Sequence, residues 1–317
     1  MRVALLLPFL AVACGELVQV GDEVGAPESM TSTVPDAGAT APVDGGDALV
    51  TPSRRRCAPG SRFQEMTKVT PPQGVSSVES FSLSGAGMGV LTLGNRTSGM
   101  PLRIFGFDGD RFGSPSSPGP GFDTGDFDFL SQSVLSLDAR TLFVARLGTT
   151  TSGELLFSRR DPGAAFPAPK PVLHPGLNAS LFGPYPAGAS LYFSRLQGTD
   201  DERLSAGSFE ATTGVLGAVH DVGLVPSLTG AHWSPVVTDD ELEIFFANSP
   251  LTTTSLTMHA TRTSATVDFG SPTLLDQLPS ATNGFDYPTW ISPDACTLFV
   301  VSRHGTGASD VWRATRL

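Results

Sequence analysis

Five histidines, His174, His220, His232, His259 and His304, are the side chains best suited to acid–base or metal chemistry near neutral pH. Their scatter, with no HxH or HxxxH spacing, supplies no metal-ligand set. A serine hydrolase needs a nucleophile on a strained strand-to-helix turn, and the folded region contains no Gly-x-Ser-x-Gly. The glycine-rich piece Gly85 to Gly89 precedes an apolar run of strand type, which makes it a poor phosphate cradle. Two acidic clusters remain. Asp123, Asp126 and Asp128, in GFDTGDFDFL, have the oxygen chemistry of a calcium site but not the spacing of an EF-hand, and they read as solvated loop acids. Asp239, Asp240, Glu241 and Glu243 sit at a chain reversal, where an Asp caps the turn through its own side chain. The reading is therefore no cofactor, no metal and no catalytic constellation.

The elements that carry these residues are short strands. In the last stretch, YPTWISPDACTLFVVSRHGTGASDVWRATRL from Tyr287 to Leu317, apolar runs alternate with a Ser292-Pro293-Asp294 turn and a Gly-rich loop from Gly305 to Ser309. Pro and Gly break the chain at the intervals of a β-meander. Anchored on Asp294 before Leu298-Phe299, the outline recurs at Asp240 before Ile244-Phe245 and at Ala187 before Leu191-Tyr192. It recurs again at Asp138 before Leu142-Phe143 and at Gly87 before Leu91-Thr92, with steps of 54, 53, 49 and 51 residues. Most copies add a trailing aromatic and proline, as in Phe112 to Pro115, Phe166 to Pro169 and Phe269 to Pro272. Strands in fours at a period near fifty predict an all-β protein, a single β-propeller.

SPDACTLFVVSRHG followed by SDVWRATR resembles the TolB-like, or WD40-like PD40, propeller repeat. Ser292, Pro293, Asp294, Ser302 and Arg303 match its motif, and Ala295 stands where that family usually has Gly. Upstream, LSLDARTLFVAR keeps Ser136, Asp138 and Arg146, and YPAGASLYFSR keeps Pro186, Gly188, Ser194 and Arg195. The resemblance spans residues 62 to 317 and implies a fold. It implies no activity, because propellers host enzymes, lectins and scaffolds alike.

Residues 1 to 13 have one Arg, a short apolar core and a small-residue end, the pattern of a signal peptide, and are too short to span a bilayer. Ala11-Val12-Ala13-Cys14 before Gly15 resembles the bacterial lipobox, which implies lipidation of Cys14 as the mature N-terminus. The alternative is an ordinary secretory signal that leaves Cys14 a free thiol. Residues 14 to 56 follow as a tether rich in Ala, Gly, Pro and Thr. From Gly15 to Ser53 they contain seven acids and no Lys or Arg, too little apolar surface to offset ordering entropy. Those acids account for more than half of the net charge of −11, which excludes nucleic acid as a natural partner without making the folded body strongly charged. Arg54-Arg55-Arg56 reads as a solvated junction. The expected location is a bacterial cell envelope, with a lipid anchor as the only membrane contact. Gly15, where retention signals for the inner membrane have Asp, leans toward the outer membrane.

The propeller is expected over residues 57 to 317. Its last copy stops after a third strand, and an orphan strand from Arg62-Phe63 through Pro72 precedes the first copy. The economical topology lets this N-terminal strand complete the C-terminal blade, giving five four-stranded blades, with six as the alternative. That topology brings Cys57 beside Cys296, in the turn after Asp294, and an oxidising compartment permits a disulfide between them. Asp138, Asp240 and Asp294 are read as structural corner residues.

Some five-bladed propellers carry paired carboxylates at an axial funnel for glycoside hydrolysis. The innermost strands expected here, near Ser80 to Ser84, Ser131 to Leu135, Ser180 to Pro184, Trp233 to Val237 and Tyr287 to Ile291, contain neither Asp nor Glu; Asp128 and Asp286 lie just ahead of two of them. The functional expectation is a monomeric, non-catalytic propeller that binds another protein or an envelope glycan. A glycan-active hydrolase and a lectin-like module for sugars or small molecules are the alternatives.

Overall fold

The computed structural model describes residues 57–316 except 65, 73–74, 76, 94–101, 110, 123–129, 148–152, 178, 198–200, 225–227, 252–253, 278–283 and 305–307. Every regular element among them is a strand. A two-residue strand, β1 (Thr67–Lys68), comes first. A three-stranded antiparallel sheet follows, β2 (Val78–Leu83), β3 (Met88–Leu93) and β4 (Leu102–Gly106). Two four-stranded sheets come next. One holds β5 (Leu130–Leu135), β6 (Thr141–Leu147), β7 (Gly153–Arg159) and β8 (Lys170–Pro171). The other holds β9 (Ser180–Ala187), β10 (Ser190–Gln197), β11 (Asp201–Glu210) and β12 (Val215–Asp221).

The remaining strands form an eight-stranded sheet built from two meanders. The first is β13 (Ala231–Val237), β14 (Glu243–Leu251), β15 (Thr254–Thr261) and β16 (Thr273–Leu274). The second is β17 (Gly284–Ile291), β18 (Thr297–His304) and β19 (Ser309–Thr315). One parallel pair, Ser255 with Phe285, joins them. β1 pairs with the outer edge of β19, Thr67 opposite Arg313 and Lys68 opposite Trp312. The N-terminal segment therefore supplies the fourth strand of the last meander.

The first strands β2, β5, β9, β13 and β17 pack side by side in chain order, and β17 also touches β2. Aliphatic and aromatic side chains fill the space between sheets. One cluster joins Phe63, Phe81, Val236, Phe245, Trp290 and Phe299; a second joins Val90, Phe122, Leu142 and Phe166; a third joins Phe143, Phe157, Leu191 and Phe193. Strands covered on both faces explain apolar runs such as Leu298 to Val301, all buried.

Two details differ from the sequence reading. β2 and β17 extend further toward their N-termini than expected, so Glu79 and Asp286 fall inside first strands. The first copy also has a shorter corner. Ser84 N–H reaches Met88 O, where Ser136, Thr238 and Ser292 reach Thr141, Glu243 and Thr297, so Gly89 rather than Leu91 is the counterpart of Leu142.

Candidate functional site

Three corners share one construction. Asp138 Oδ1 accepts the Ser136 hydroxyl at 2.6 Å and the Arg140 N–H at 3.0 Å. Asp240 accepts Thr238 Oγ1 and Leu242 N at 2.6 and 3.1 Å, and Asp294 accepts Ser292 Oγ and Cys296 N at 2.5 and 3.1 Å. The residue after each Asp is left-handed: Ala139 (φ 58°), Glu241 (φ 57°) and Ala295 (φ 60°). A type I turn followed by one left-handed residue matches the twist of the hairpin, and the carboxylate holds the N–H groups that the turn frees.

An arginine from the end of each third strand locks onto the same corner. Arg160 Nε donates to Ala139 O at 3.0 Å, Arg262 Nε to Glu241 O at 2.5 Å, and Arg316 Nη1 to Ala295 O at 3.0 Å. Each guanidinium lies over a phenylalanine: Phe166 at 4.3 Å, Phe269 at 4.2 Å and Phe63 at 4.2 Å. The trailing aromatics of the repeat are thus the stacking partners of these cations. In the last meander that aromatic comes from the N-terminal segment. There the site is elaborated. Glu243, fully buried at the start of β14, accepts Gly60 N (2.7 Å) and His259 Nε2 (3.0 Å), and takes both terminal nitrogens of Arg316 at 2.9 and 3.0 Å. Burial alone would push the Glu243 carboxyl up. The His259 and Arg316 hydrogen bonds, the Arg316 charge and the Gly60 N–H outweigh it and hold the group down at about 2.

Next to this network Cys57 and Cys296 form a disulfide, Cα atoms 5.3 Å apart, while Cys57 N–H donates to Asp294 O. Cys14, Asp123, Asp126 and Asp128 lie outside the described residues.

The centre, where the first strands meet, is lined by hydroxyls and one amide. Each first strand shifts register against its second strand, near Glu79, Ser131, Gly183, Ser234 and Thr289. The inner edge of each first strand also leaves N–H groups without a ladder partner, and side chains of the neighbouring sheet take some of them up. Ser80 Oγ accepts Ser133 N–H at 3.1 Å, Ser82 Oγ accepts Leu135 N–H at 3.0 Å, and Ser194 Oγ accepts Ser234 N–H at 3.1 Å. Ser80, Thr92 and Ser133 bond to one another at 2.8 to 2.9 Å. Ser234 donates to Pro288 O at 2.8 Å and faces Gln132 Oε1 at 3.3 Å. At Gly183 (φ 60°) the left-handed backbone favours glycine, and a Cβ would be crowded at 3.1 to 3.3 Å by Gln132, Ser194 and Ser234. At the corner end a cavity of about 30 Å³ is lined by Leu83, Leu135, Tyr185, Val237, Trp290 and Ile291 together with the corner residues Asp239, Ser292 and Pro293. Tyr185, whose phenol is pushed up by burial, accepts the Ile291 N–H at 3.3 Å across it.

Among the described residues two acids, Glu79 and Asp286, lie in first strands. The buried Asp286 carboxylate accepts the Ser302 hydroxyl from its own sheet. Glu79 is half-buried, and its carbonyl takes the Tyr287 hydroxyl at 2.6 Å. Sequence reasoning overlooked Glu243 as a buried centre, because it shares a corner with three neighbours of ordinary turn chemistry. The signal it left is positional: an acid where Thr141 and Thr297 stand in sister copies. Among the described residues no group of three His, Cys, Asp or Glu is placed to hold a metal.

No family model matches this sequence, and no curated protein does. Solved structures do. RS223-β-xylosidase aligns at TM-score 0.54 with 10% identity over 79% of this chain and 94% of its own, and a thermostable family-43 glycoside hydrolase at 0.52 with 12% identity over 79% and 93%. A protein from Agrobacterium tumefaciens assigned as TolB aligns at 0.47 with 16% identity over 78% and 79%, a score that carries no argument. At such identities the likeness speaks for architecture alone: all-β, with four-stranded antiparallel sheets in the manner of a β-propeller.

Proposed function

We propose that this chain is a non-catalytic envelope protein, anchored through a lipid on Cys14, whose propeller binds another protein or an envelope glycan. Its propeller would have five blades, the last completed by β1. The PD40-like corners and lipobox-like N-terminus support the envelope reading. The observation that carries the non-catalytic reading is the centre itself. Ser80, Thr92, Ser133, Ser194 and Ser234, all buried, bond to one another and to backbone N–H groups of neighbouring strands, and apolar side chains line most of the corner end. A glycosidase needs two carboxyls facing a substrate-sized space. Among the described residues the centre presents neutral hydroxyls, and Asp239 is the one acid lining the cavity at its corner end.

A rigid scaffold with variable rim loops suits docking. Mass spectrometry of the mature protein from membranes tests the anchor, with a diacylglyceryl-modified Cys14 expected and an unmodified secreted chain overturning it. Incubation with xylan- and arabinan-derived oligosaccharides tests the absence of catalysis, with no new reducing ends expected. Release that vanishes in Asp286→Asn or Glu79→Gln would overturn the binding reading in favour of hydrolysis.

A further inference from the structure

Between the sheet of β9 to β12 and β13 lies a cleft of about 440 Å³, away from the corners. Its floor is aliphatic: Leu204, Val222, Leu224 and Leu228. Two polar side chains line it without a hydrogen-bond partner among the described residues. Glu202, on the face of β11 that also carries Leu204, is half-buried and has neither a hydrogen bond nor an ion pair among the described residues. His232, near the start of β13, has its Nε2 shielded from solvent and bonded to nothing, with its ring edge-on to Phe246 at 5.8 Å.

The cations nearby are already engaged. Arg195 donates to Asp221 Oδ1 at 2.5 Å, Arg203 to Asp221 Oδ2 at 3.3 Å, and Ser205 to Asp221 Oδ1 at 3.4 Å. Both arginines are thus paired with Asp221, though Arg195 Nε is buried without a partner, and among the described residues the interior acid faces an apolar wall with no counter-charge. A carboxylate in such a place is costly to keep ionised and is relieved by a cation that brings its own apolar surface.

We propose that this cleft is a binding site for a primary alkylammonium group, the chemistry of a lysine side chain or an aliphatic diamine. The ammonium would pair with Glu202 and its methylene stem would lie on Leu204, Leu224 and Leu228. The His232 ring, its Nε2 turned away from solvent, forms part of the wall of the cleft. Burial agrees with this assignment. It pushes Glu202 up to about 7 and His232 down, so near neutral pH the cleft is lined by a partly protonated acid and a neutral imidazole. An arriving ammonium displaces the Glu202 proton to solvent. The site does not depend on the envelope reading, because its residues lie in the folded body.

The test is calorimetric titration of the full chain at pH 7 with 1,5-diaminopentane and with Nα-acetyl-lysine amide, in two buffers of different ionisation heat. The expected result is saturable binding of at least one probe with net proton release, weakened about tenfold or more in Glu202→Gln, the scale of one charge-assisted hydrogen bond. His232→Phe, which keeps a ring in place, weakens binding less. Binding of the diamine alone points to a free amine as ligand, and binding of the blocked lysine to a lysine presented by a protein. No heat with either probe at millimolar concentration, equal affinity in Glu202→Gln, or a preference for neutral N-acetylglucosamine over both amines would overturn the assignment. Circular dichroism of each variant confirms that loss of binding is not loss of fold.

Discussion

The Arg316 guanidinium lies 4.2 Å above the ring of Phe63, a contact between the two ends of the folded chain. In two other meanders the equivalent stack, Arg160 on Phe166 and Arg262 on Phe269, forms within a few residues of sequence. Here the aromatic must be delivered by the N-terminal segment, and the buried Glu243 carboxylate receives the same arginine. Removing one partner of a buried ion pair leaves the other uncompensated. Arg316→Met is therefore expected to cost about 3–5 kcal/mol in urea unfolding. Phe63→Ala opens a cavity beside Phe245 and should cost about 3–5 kcal/mol. Because both act on one contact, the double variant should lose less than the sum. Full additivity would show that the stack is not a working contact.

The sequence carried the period, the corner Asp residues, the trailing aromatics and the two cysteines, because each is a local pattern with a local cause. Glu243 and the Ser-rich centre were harder to see. Ser80, Ser133 and Ser234 look like ordinary small strand residues, and only the packing of one sheet's inner edge against the next gives their hydroxyls work. Asp286 looked like an entry residue because the unbroken extension of β17 past Tyr287 has no apolar alternation to announce it. The Arg–Phe stacks hid in variable spacing, Arg160 to Phe166 against Arg262 to Phe269, and in the last case in reversed chain order.

Acid should weaken the protein through Glu243. Its carboxyl is held at about 2 when folded, against an ordinary 4.5, so folding favours the ionised form. The stabilisation is fully present above the unfolded value and is lost as pH falls from about 4.5 toward 2. Urea midpoints at pH 7, 4 and 3 should fall accordingly. Glu243→Gln should be less stable at pH 7, since Arg316 then lacks its counter-ion, yet show a flatter acid limb. Parallel acid limbs would place the lost stability on other carboxylates.

The disulfide between Cys57 and Cys296 ties residues 239 apart in sequence, and it sits beside the pairing of β1 with β19. In the chain-entropy model a loop of that length is worth about 5–6 kcal/mol through the unfolded state. Cys57→Ser with Cys296→Ser should lower the urea midpoint by that scale and raise the unfolding m-value, because the unlinked chain exposes more surface. Hydrogen exchange should also quicken first at Thr67, Lys68 and their partners Trp312 and Arg313. Unchanged exchange there would mean that β1 holds without the covalent tie.

Corner conformation supplies a last, sign-sensitive test. Ala139 and Ala295 carry φ near 60°, where a Cβ crowds the following carbonyl, at a cost of roughly 1–2 kcal/mol. Glycine removes that strain but widens the unfolded ensemble and, at these buried positions, gives up a methyl contact of about 0.8 kcal/mol. Ala139→Gly, the less buried of the two, is expected to stabilise by up to about 1 kcal/mol, and Ala295→Gly by less. The reverse change at Gly87 should go the other way. Its φ is 74°, and a new Cβ would stand 2.9 Å from the Phe107 carbonyl oxygen, a backbone atom tied into the sheet by its strand neighbours. Gly87→Ala should therefore cost about 1–2 kcal/mol. Opposite signs for Ala139→Gly and Gly87→Ala in thermal unfolding would locate the strain in the corners; equal signs would remove backbone conformation as the cause.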